Sequence, residues 1–427
     1  MTVAAAHAAV RERTERWLGD LPGGWRGARL CEVAAAWPSN VDKHTVEDQL
    51  PVRLCNYTHV YKNSRITADL DFMRATATAK QVARFRLREG DTLITKDSET
   101  ADDIGVPAFV DYEADDLVCG YHLALVRPRR DRVAPRFLYW ILASEPVRRQ
   151  WSVLASGVTR FGLRSSDLDK VTVPLPSLMA QESIADFLDR ETAQIDALIA
   201  EQERFIELLK ERKGAALQGL AEWVGRGDRL KWVLREVDVR AGEAAAGLPL
   251  LSVSIDWGVR RRSDFTQDPP RAEELTNYKV CGSGDVVVNR MRAFQGALGR
   301  APEDGLVSPD YAVFRVLPTV DSRWLASVMR TSAFVSEIVV RLRGIGGTAS
   351  GVVRTPRINA DDLLQIRIAH PSLTEQRDEY RQIQDRIDDI EALMGKTREH
   401  IALARERRGA LITAAVTGQI DVTGREA

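Results

Sequence analysis

Two long stretches of the chain place apolar residues at helical spacing, with charged residues filling the positions between them. The first stretch repeats apolar side chains three, four and seven residues apart: Ile184, Leu188, Ile195, Leu198, Ile199, Ile206 and Leu209. The second stretch does the same with Tyr380, Ile383, Ile387, Ile390, Leu393, Met394 and Ile401. Pro176 and Pro371 come just before the two stretches, where the start of a helix tolerates proline. The pattern predicts two amphipathic helices of about 35–40 residues, each with one narrow apolar stripe.

A single apolar stripe of this length must be covered by another surface, because its exposure to water is unfavourable. The other helix is the simplest cover, and two facing stripes predict an antiparallel coiled coil. Packing of each helix against its own globular domain is the alternative.

The chain also repeats itself at a constant offset of 195 residues. The first copy has Pro176, Ser177, Leu178 and Gln181, and the second has Pro371, Ser372, Leu373 and Gln376. The same offset relates Ile195, Leu198, Ile206, Leu208, Glu211, Arg212 and Gly214 to Ile390, Leu393, Ile401, Leu403, Glu406, Arg407 and Gly409. Upstream it relates Asp167 and Leu168 to Asp362 and Leu363. An ungapped match over about forty positions indicates two copies of one unit.

The segments ahead of the two helices diverge more and contain short β-type runs bounded by Gly, Pro and Asp. The predicted strands are residues 91–95, 121–126, 285–289 and 311–316, followed by helical stretches at 137–151 and 324–342. Gly90-Asp91 resembles Gly284-Asp285, and the run that begins at Tyr121 resembles the run that begins at Tyr311. Loops of different length separate these matches.

These patterns predict an α+β fold: two mixed α/β domains separated by two long antiparallel helices that form a coiled coil, with a pseudo-twofold internal repeat. The predicted parts are an N-terminal helical extension at 1–20, a first α/β domain at 21–175 and a central helical spacer at 176–225. A second α/β domain follows at 226–369, and a C-terminal helical spacer with its tail occupies 370–427.

The composition, with 44% hydrophobic and 28% charged residues, fits a globular protein with adequate cores. No apolar run reaches the roughly 18 residues that a membrane span needs, and the charged Arg11 comes too early for a secretory signal. We therefore expect a cytoplasmic protein with no membrane partner. The four cysteines, Cys31, Cys55, Cys119 and Cys281, lack metal-binding or redox spacing and are predicted to be small core residues.

The net charge of −1 does not by itself indicate a nucleic-acid partner. The two α/β segments nevertheless carry a small excess of basic residues, whereas the two helical segments are acidic. Of the 60 basic residues 50 are arginine, whose forked guanidinium matches phosphate oxygens and guanine edges. This bias favours DNA contact, although a GC-rich genome would account for the arginine content equally well.

The sequence resembles the specificity subunits of type I restriction–modification systems over nearly its whole length. The resemblance is carried by PLPSLMAQ at 174–181 and HPSLTEQ at 370–376, which open the helices, and by ERKGAAL at 211–217 and ERRGALITAAVTGQIDV at 406–422, which close them. Further matches are LPGGWRGARLCEVA at 21–34, GDVVVNRMRAFQG at 284–296 and GLVSPDYAVFRV at 305–316.

The resemblance implies that each α/β domain is a target-recognition domain that reads one half of a bipartite double-stranded DNA sequence, with the paired helices as a spacer. It implies as partners two methyltransferase subunits, which use S-adenosylmethionine to methylate adenine N6, and ATP-driven restriction/translocase subunits. This chain is then expected to be non-catalytic and to hold no cofactor or metal of its own. Because the two α/β domains differ strongly, the two half-sites are expected to differ in sequence.

Polar and planar side chains on loops of the two domains are the candidates for reading DNA. In the first domain they are Tyr57, His59, Lys62, Lys96, Tyr121, Arg160 and Arg164. In the second domain they are Arg260, Arg261, Arg262, Asn289, Arg290, Arg292, Gln295, Tyr311 and Arg354. Lys96 and Arg290 hold matching positions after the Gly-Asp strand, and Tyr121 and Tyr311 are matched at the start of the next strand.

Two motifs suggest enzyme chemistry but are incomplete. Asp268-Pro269-Pro270 resembles the acidic-Pro-Pro motif of amino-methyltransferases, but Arg271 stands where an aromatic ring should stack on the base. The glycine-rich run 344–351 lacks the Lys-Ser/Thr ending of a phosphate-binding loop. A stand-alone nucleic-acid-modifying enzyme and a coiled-coil scaffold that binds no DNA are the alternative functions.

Overall fold

The structure, a computed structural model, describes residues 12–266, 275–342 and 356–422. Unit 1 consists of residues 1–202 and 399–427, and unit 2 consists of residues 203–398. The unit boundaries fall inside the two long helices, so each unit contains the beginning of one helix and the end of the other. Within the predicted N-terminal extension, residues 12–18 are helical.

The chain enters unit 1 through a series of short strands and helices. In chain order the strands are β1 (Arg26–Arg29), β2 (Ala34–Pro38), β3 (Leu50–Cys55), β4 (Arg65–Ile66), β5 (Met73–Ala77), β6 (Thr92–Thr95), β7 (Asp97–Ser98), β8 (Pro107–Val110), β9 (Leu117–Cys119), β10 (Leu123–Pro128), β11 (Phe161–Gly162) and β12 (Thr172–Leu175). The helices are α1 (Leu30–Val33), α2 (Tyr57–Lys62), α3 (Ala79–Phe85), α4 (Pro135–Ala143), α5 (Glu145–Leu154), α6 (Ser165–Leu168) and the long α7 (Leu178–Gln218). A 3₁₀ turn covers Ala101–Asp103.

Unit 2 contains a second series of the same kind. Its strands are β13 (Val224–Arg229), β14 (Leu234–Val237), β15 (Leu251–Ser254), β16 (Gly258–Arg261), β17 (Lys279–Cys281), β18 (Val286–Asn289), β19 (Leu298–Arg300), β20 (Gly305–Val307), β21 (Tyr311–Val316) and β22 (Arg367–Ile368). Its helices are α8 (Ser322–Val328), α9 (Ser332–Val340), α10 (Ala360–Leu364) and the long α11 (Leu373–Val416). The 3₁₀ turns are Gly219–Trp223, Leu230–Trp232, Gly242–Gly247, Arg262–Asp264 and Ala293–Gln295.

The internal repeat is visible as one sheet built twice. Unit 1 has a five-stranded sheet with the order β2-β10-β6-β8-β4, and unit 2 has a four-stranded sheet with the order β14-β21-β18-β19. The first four strands of the former and all four of the latter pair antiparallel. The ribbon β1-β12 of unit 1 returns as β13-β22 in unit 2. The strands predicted from the sequence are confirmed as β6, β10, β18 and β21, with ends shifted by up to two residues.

The strand register corrects one match between the two copies. Tyr311 lies opposite Asn289, the last residue of β18. The residue opposite Thr95, the last residue of β6, is Leu123 rather than Tyr121, which lies in the turn before β10. The predicted equivalence of Tyr121 and Tyr311 is therefore wrong, because the sequence similarity was aligned two residues away from the pairing that the sheets adopt.

The Gly-Asp pair before β6 and β18 is a structural element of both copies. Gly90 and Gly284 have φ angles of 92° and 93°, in the left-handed region that favours glycine. The aspartate that follows each glycine accepts a hydrogen bond from a backbone N–H three residues before it, at 2.8 Å in both copies. It also pairs with an arginine on the neighbouring strand, Arg127 in unit 1 and Arg315 in unit 2.

The glutamine of each helix-opening motif joins the helix to its α/β domain. The side-chain oxygen of Gln181 accepts a hydrogen bond from the backbone N–H of Ala134 at 2.8 Å, and Gln376 does the same with Asp321 at 2.8 Å. Each glutamine amide donates to the carbonyl of its motif's own proline. Both glutamines are buried. The recurring glutamine therefore fixes the start of α7 on α4 and the start of α11 on α8.

Matching ion pairs join the long helices in the two units. In unit 1 the Arg408 guanidinium donates to the Asp196 carboxylate at 2.8 and 3.0 Å. In unit 2 the Lys213 ammonium donates to Glu391 at 2.6 Å. The offset of 195 residues relates Asp196 to Glu391 and Lys213 to Arg408. In unit 1 the acid lies on α7 and the base on α11, whereas in unit 2 the base lies on α7 and the acid on α11.

The helical segments within unit 1 run in opposite directions. Residues 198–202 and 400–404 line one small cavity, and residues 184–188 share a core with residues 412–416. Later residues of α7 thus lie beside earlier residues of α11. The structure thus contains two long helices, α7 with 41 residues and α11 with 44 residues. Coiled-coil packing along their full length stays a prediction.

The helix starts also pack on their own α/β domains, as the alternative interpretation of the stripes proposed. Ile184 and Leu188 belong to the core that contains Phe137 of α4 and Trp151 of α5. The stretch 137–151 was predicted as one helical run, but it forms two helices because Pro146, in the first turn of α5, cannot continue α4. The stretch 324–342 likewise divides into α8 and α9, where the Thr331 side chain caps the second helix.

The cysteines are unpaired, and Cys55, Cys119 and Cys281 are buried, as expected of core residues. Cys31 is half-buried. Burial raises the pKa of the Cys281 thiol to about 12, which keeps it protonated and unreactive at neutral pH.

In the part of the chain that the structure describes, no helix combines the length and apolar character needed to cross a bilayer.

Candidate nucleic-acid interface

A polar cluster lies where β6 ends in unit 1. The Lys96 ammonium binds the Asp97 carboxylate at 2.7 Å and lies 4.9 Å from the centroid of the Tyr121 ring. His122 contacts the same carboxylate at 3.1 Å. The Tyr121 side chain is 48% exposed, so a flat aromatic face is presented to solvent with a cation held against it. Such a surface suits stacking and hydrogen bonding to nucleic acid.

Helix α2 brings three further candidates to the same region. Its start lies beside the Tyr121 turn, because the backbone N–H of Gly120 donates to the carbonyl of Cys55 at 2.8 Å. Tyr57 stacks on Tyr61 with ring centroids 5.4 Å apart. Lys62, the last residue of the helix, is exposed.

His59, another candidate on α2, is held by the fold itself. Its Nδ1 accepts from the backbone N–H of Asn56 at 3.1 Å, so its Nε2 donates to the carbonyl of Asp71 at 3.0 Å. The ring also contacts the edge of Phe72. Both ring nitrogens of His59 therefore have partners within the fold, so its contacts are structural.

Arg160 and Arg164 flank the short strand β11, which pairs with β7 directly after Lys96. The backbone N–H of Leu163 donates to the carbonyl of Lys96 at 3.0 Å. Both arginines are exposed. The structure therefore brings Tyr57, Lys96, Tyr121, Arg160 and Arg164 to one region of unit 1.

The equivalent strand end in unit 2 has a different chemistry. The Asn289 amide lies 3.5 Å from the Tyr311 hydroxyl, and burial raises the pKa of this phenol. Arg290, the counterpart of Lys96, donates to the carbonyl of Ile358 and to the side chain of Asn359, both at 3.0 Å. The guanidinium of Arg290 thus holds two chain segments together, whereas the Lys96 ammonium is paired with the neighbouring Asp97.

The three arginines predicted on residues 260–262 have three different environments. Arg260 lies over the Trp257 ring, 5.7 Å from its centroid. Arg261 forms a bidentate pair with Glu303. The Nε of Arg262 is buried and has no hydrogen-bond partner among the described residues.

Arg260 and Gln295 line a cleft of about 750 Å³ in unit 2. Trp257 and Arg330, which the sequence did not single out, line it too. Arg330 donates to the carbonyls of Ile255 and Asp256 at 2.8 and 2.9 Å, and burial lowers the pKa of its guanidinium.

Arg292 precedes the same 3₁₀ turn as Gln295 and is exposed. Arg354, the Asp268-Pro269-Pro270 motif and the glycine-rich run 344–351 lie outside the described residues.

The residues that sequence reasoning missed are Asp97, His122, Trp257 and Arg330. Only Asp97 and His122 had a signal, since each adjoins a residue that was chosen.

The first comparison with known proteins is a match to a family model. Residues 56–208 match the family described as "Type I restriction modification DNA specificity domain". This segment includes most of unit 1 and continues into α7, and therefore contains the polar cluster at the end of β6.

Relatives and a solved structure extend the comparison beyond that segment. The chain is 23% identical over 206 residues to the MjaX specificity subunit of Methanocaldococcus jannaschii, which covers 48% of this chain and 47% of that protein. It is 24% identical over 269 residues to the StySPI specificity subunit of Salmonella potsdam, covering 61% and 55% of the two proteins. The matches span about half the length of these curated relatives.

A chain from a solved structure on complex assembly in "the type I R-M system" shares the fold, with a TM-score of 0.63 and 18% identity. The match covers 94% of this chain and 100% of that one. Together these comparisons confirm the resemblance to the specificity subunits of type I restriction–modification systems.

Proposed function

We propose that this chain is the DNA-reading, non-catalytic subunit of a type I restriction–modification complex and that it recognises an asymmetric bipartite sequence. The observation that carries the proposal is one antiparallel sheet built twice with different side chains at the same strand end. At this strand end unit 1 has Lys96 against the exposed Tyr121, whereas unit 2 has the buried Asn289 beside Tyr311, followed by Arg290 bound to the carbonyl of Ile358. Two copies of one reader with unlike contact residues suit two unlike half-sites.

The helices take the role of a spacer in this proposal. The buried Gln181 and Gln376 attach each α/β domain to the start of a long helix, and the matched ion pairs fix the helical register in each unit. Rigid attachment is what reading two half-sites at a set separation requires. The helices would also dock two methyltransferase subunits, with restriction/translocase subunits joining for cleavage.

No cofactor is assigned to this chain in the proposal. S-adenosylmethionine and ATP would be used by the partner subunits, and the product would be adenine methylated at N6 in both half-sites. The chain would contribute affinity and sequence preference, and most of its affinity should depend on salt because phosphate contacts release counterions.

Genome-wide methylation mapping with and without the gene tests the proposal. The expected result is a two-part adenine motif that disappears on deletion and returns when the gene is restored. Its persistence in the deletion strain, or the absence of any bipartite motif in the parent, would contradict the proposal.

A domain exchange then tests the division between the two readers. Replacing residues 226–369 with the second reader of another specificity subunit should change one half of the motif and leave the other half unchanged. The matched exchange of residues 21–175 should change the opposite half. If either exchange alters both halves, the modular assignment is wrong.

A further inference from the structure

A hairpin in unit 1 presents an apolar and a basic side chain to solvent. Ser156 and Gly162 pair through two backbone hydrogen bonds, of 3.2 and 3.0 Å, and close a loop of five residues. Within it Val158 is 99% exposed. Arg160 is exposed, and no hydrogen bond or ion pair of its side chain is formed with the residues that the structure describes.

The turn of this hairpin requires glycine. Gly157 has a φ of 153°, and a Cβ at this position would lie 1.9 Å from the carbonyl oxygen of Arg160. A fully exposed valine beside it contributes nothing to a core, so the shape of the loop has no evident role in folding. A single exposed valine is common on protein surfaces, so it is the exposed Arg160 beside it on the fixed turn that indicates a contact surface.

The hairpin adjoins the polar cluster of the candidate interface. Its second strand, β11, pairs with β7 so that Gly162 lies opposite Asp97, the partner of Lys96. A ligand that contacts Tyr121 and Lys96 is therefore within reach of the hairpin.

The sequence of the hairpin recurs in the second half of the chain. Residues 155–160 read ASGVTR, and residues 349–354 read ASGVVR, with five of six positions identical. The offset of 194 residues is the one that relates Lys96 to Arg290. The α/β domains differ almost everywhere else, apart from residues that hold the sheet and the helix together. A sequence motif kept in both readers is expected to contact a feature that both half-sites share.

Unlike half-sites of DNA share their sugar–phosphate backbone and groove shape, not their bases. We propose that the hairpin Ser156–Gly162 makes a sequence-independent contact with DNA, in which Arg160 binds a backbone phosphate and Val158 packs into the minor groove. Many proteins that bind the minor groove insert apolar side chains between base steps. The inference rests on the proposed function and assigns to this hairpin affinity rather than sequence preference.

The test uses the full chain assembled with its methyltransferase partners, a duplex with the mapped target and a duplex with both half-sites scrambled. For Arg160→Gln, binding to both duplexes should weaken by about three- to tenfold at moderate salt. The slope of log affinity against log salt should fall by about 1, and the ratio between target and scrambled DNA should stay unchanged. Val158→Ser should weaken both duplexes without changing the slope.

Arg88→Gln is the matched control, because Arg88 is also an exposed arginine of unit 1 but precedes β6, whereas Lys96 follows it. This control should leave affinity and slope unchanged. An unchanged slope for Arg160→Gln, or a loss confined to the target duplex, would overturn the inference while the proposed function stands. Absence of any target preference in the unmodified complex, with the slope effect retained, would contradict the proposed function instead.

Discussion

Units 1 and 2 share the residues that build the fold and differ at the residues that face outward. The Gly-Asp turn and the buried helix-opening glutamine make equivalent hydrogen bonds in both units. At the end of the central strand, in contrast, Lys96 lies against an exposed tyrosine, whereas Arg290 ties the chain to Ile358 and Asn359. The recurring Gly-Asp and helix-opening glutamine motifs are therefore structural, and at the strand end equal position does not mean equal function.

Even a shared structural pair is built with different strength in the two units. Arg127 donates to Asp91 at 2.8 and 2.7 Å and its side chain is only 19% exposed. Arg315 reaches Asp285 at 3.3 and 3.4 Å with 59% of its side chain exposed. Solvent screens the second pair more strongly, so the same sequence pattern should contribute less stability in unit 2.

The largest expected effect follows removal of the glutamine that both units share. Gln181→Ala and Gln376→Ala should each lower the free energy of unfolding by about 2–4 kcal/mol, because a buried N–H and a proline carbonyl lose their partners. Hydrogen exchange at α4 for the first variant and at α8 for the second would locate the loss. Gln382→Ala, at an exposed position of α11, should change stability by less than about 0.5 kcal/mol. Unchanged stability in either buried variant would break the equivalence of the two units.

The next effect separates the units at the Gly-Asp turn. Asp91→Asn should lower the free energy of unfolding by about 2–3 kcal/mol, because it leaves a largely buried guanidinium without its counter-charge. Asp285→Asn should lower it by about 1 kcal/mol, since Arg315 is hydrated already. Urea unfolding of the two variants measures the difference. Equal losses in both would show that burial of the arginine does not set the strength of the pair.

The third prediction concerns the position where the units diverge. Arg290→Met should lower the free energy of unfolding by about 1–2 kcal/mol, through two lost hydrogen bonds, and leave the DNA motif unchanged. Lys96→Met should weaken binding to the half-site of unit 1 by about tenfold, and it should also lower the free energy of unfolding, because the largely buried Asp97 carboxylate loses its ammonium partner. Thermal unfolding and binding to duplexes with one scrambled half-site measure the two effects. A change of motif with Arg290→Met would contradict its structural role.

The smallest effect tests the matched ion pairs of the helices. Double-mutant cycles on Asp196 with Arg408, and on Glu391 with Lys213, should each give a coupling of about 0.5 kcal/mol, because both pairs are partly exposed. The couplings should decline together as the salt concentration rises. Coupling in one cycle and none in the other would show that the helices are held differently in the two units.

Sequence patterns predicted the elements that have a strong local period. The stripes at spacings of three and four predicted both long helices, because that spacing follows from helical geometry. Short β-type runs bounded by Gly, Pro and Asp predicted the central strands. The split of residues 137–151 into α4 and α5 was missed, although Pro146 signals it. The match of Tyr121 to Tyr311 failed because register is set by pairing between strands distant in the chain.

The chain by itself determined its duplication, the two helices and the family to which its motifs point. These depend on the order of residues, and a repeat or a helical period can be counted along a sequence. Only the tertiary structure decided which polar residues are available to a ligand. His59, Arg290 and Lys96 all fit the pattern of a DNA contact, but the fold engages each of them in internal hydrogen bonds or ion pairs, whereas Tyr121 and Arg160 stay exposed. Whether a polar side chain is free depends on neighbours brought together from distant segments, which no local pattern records.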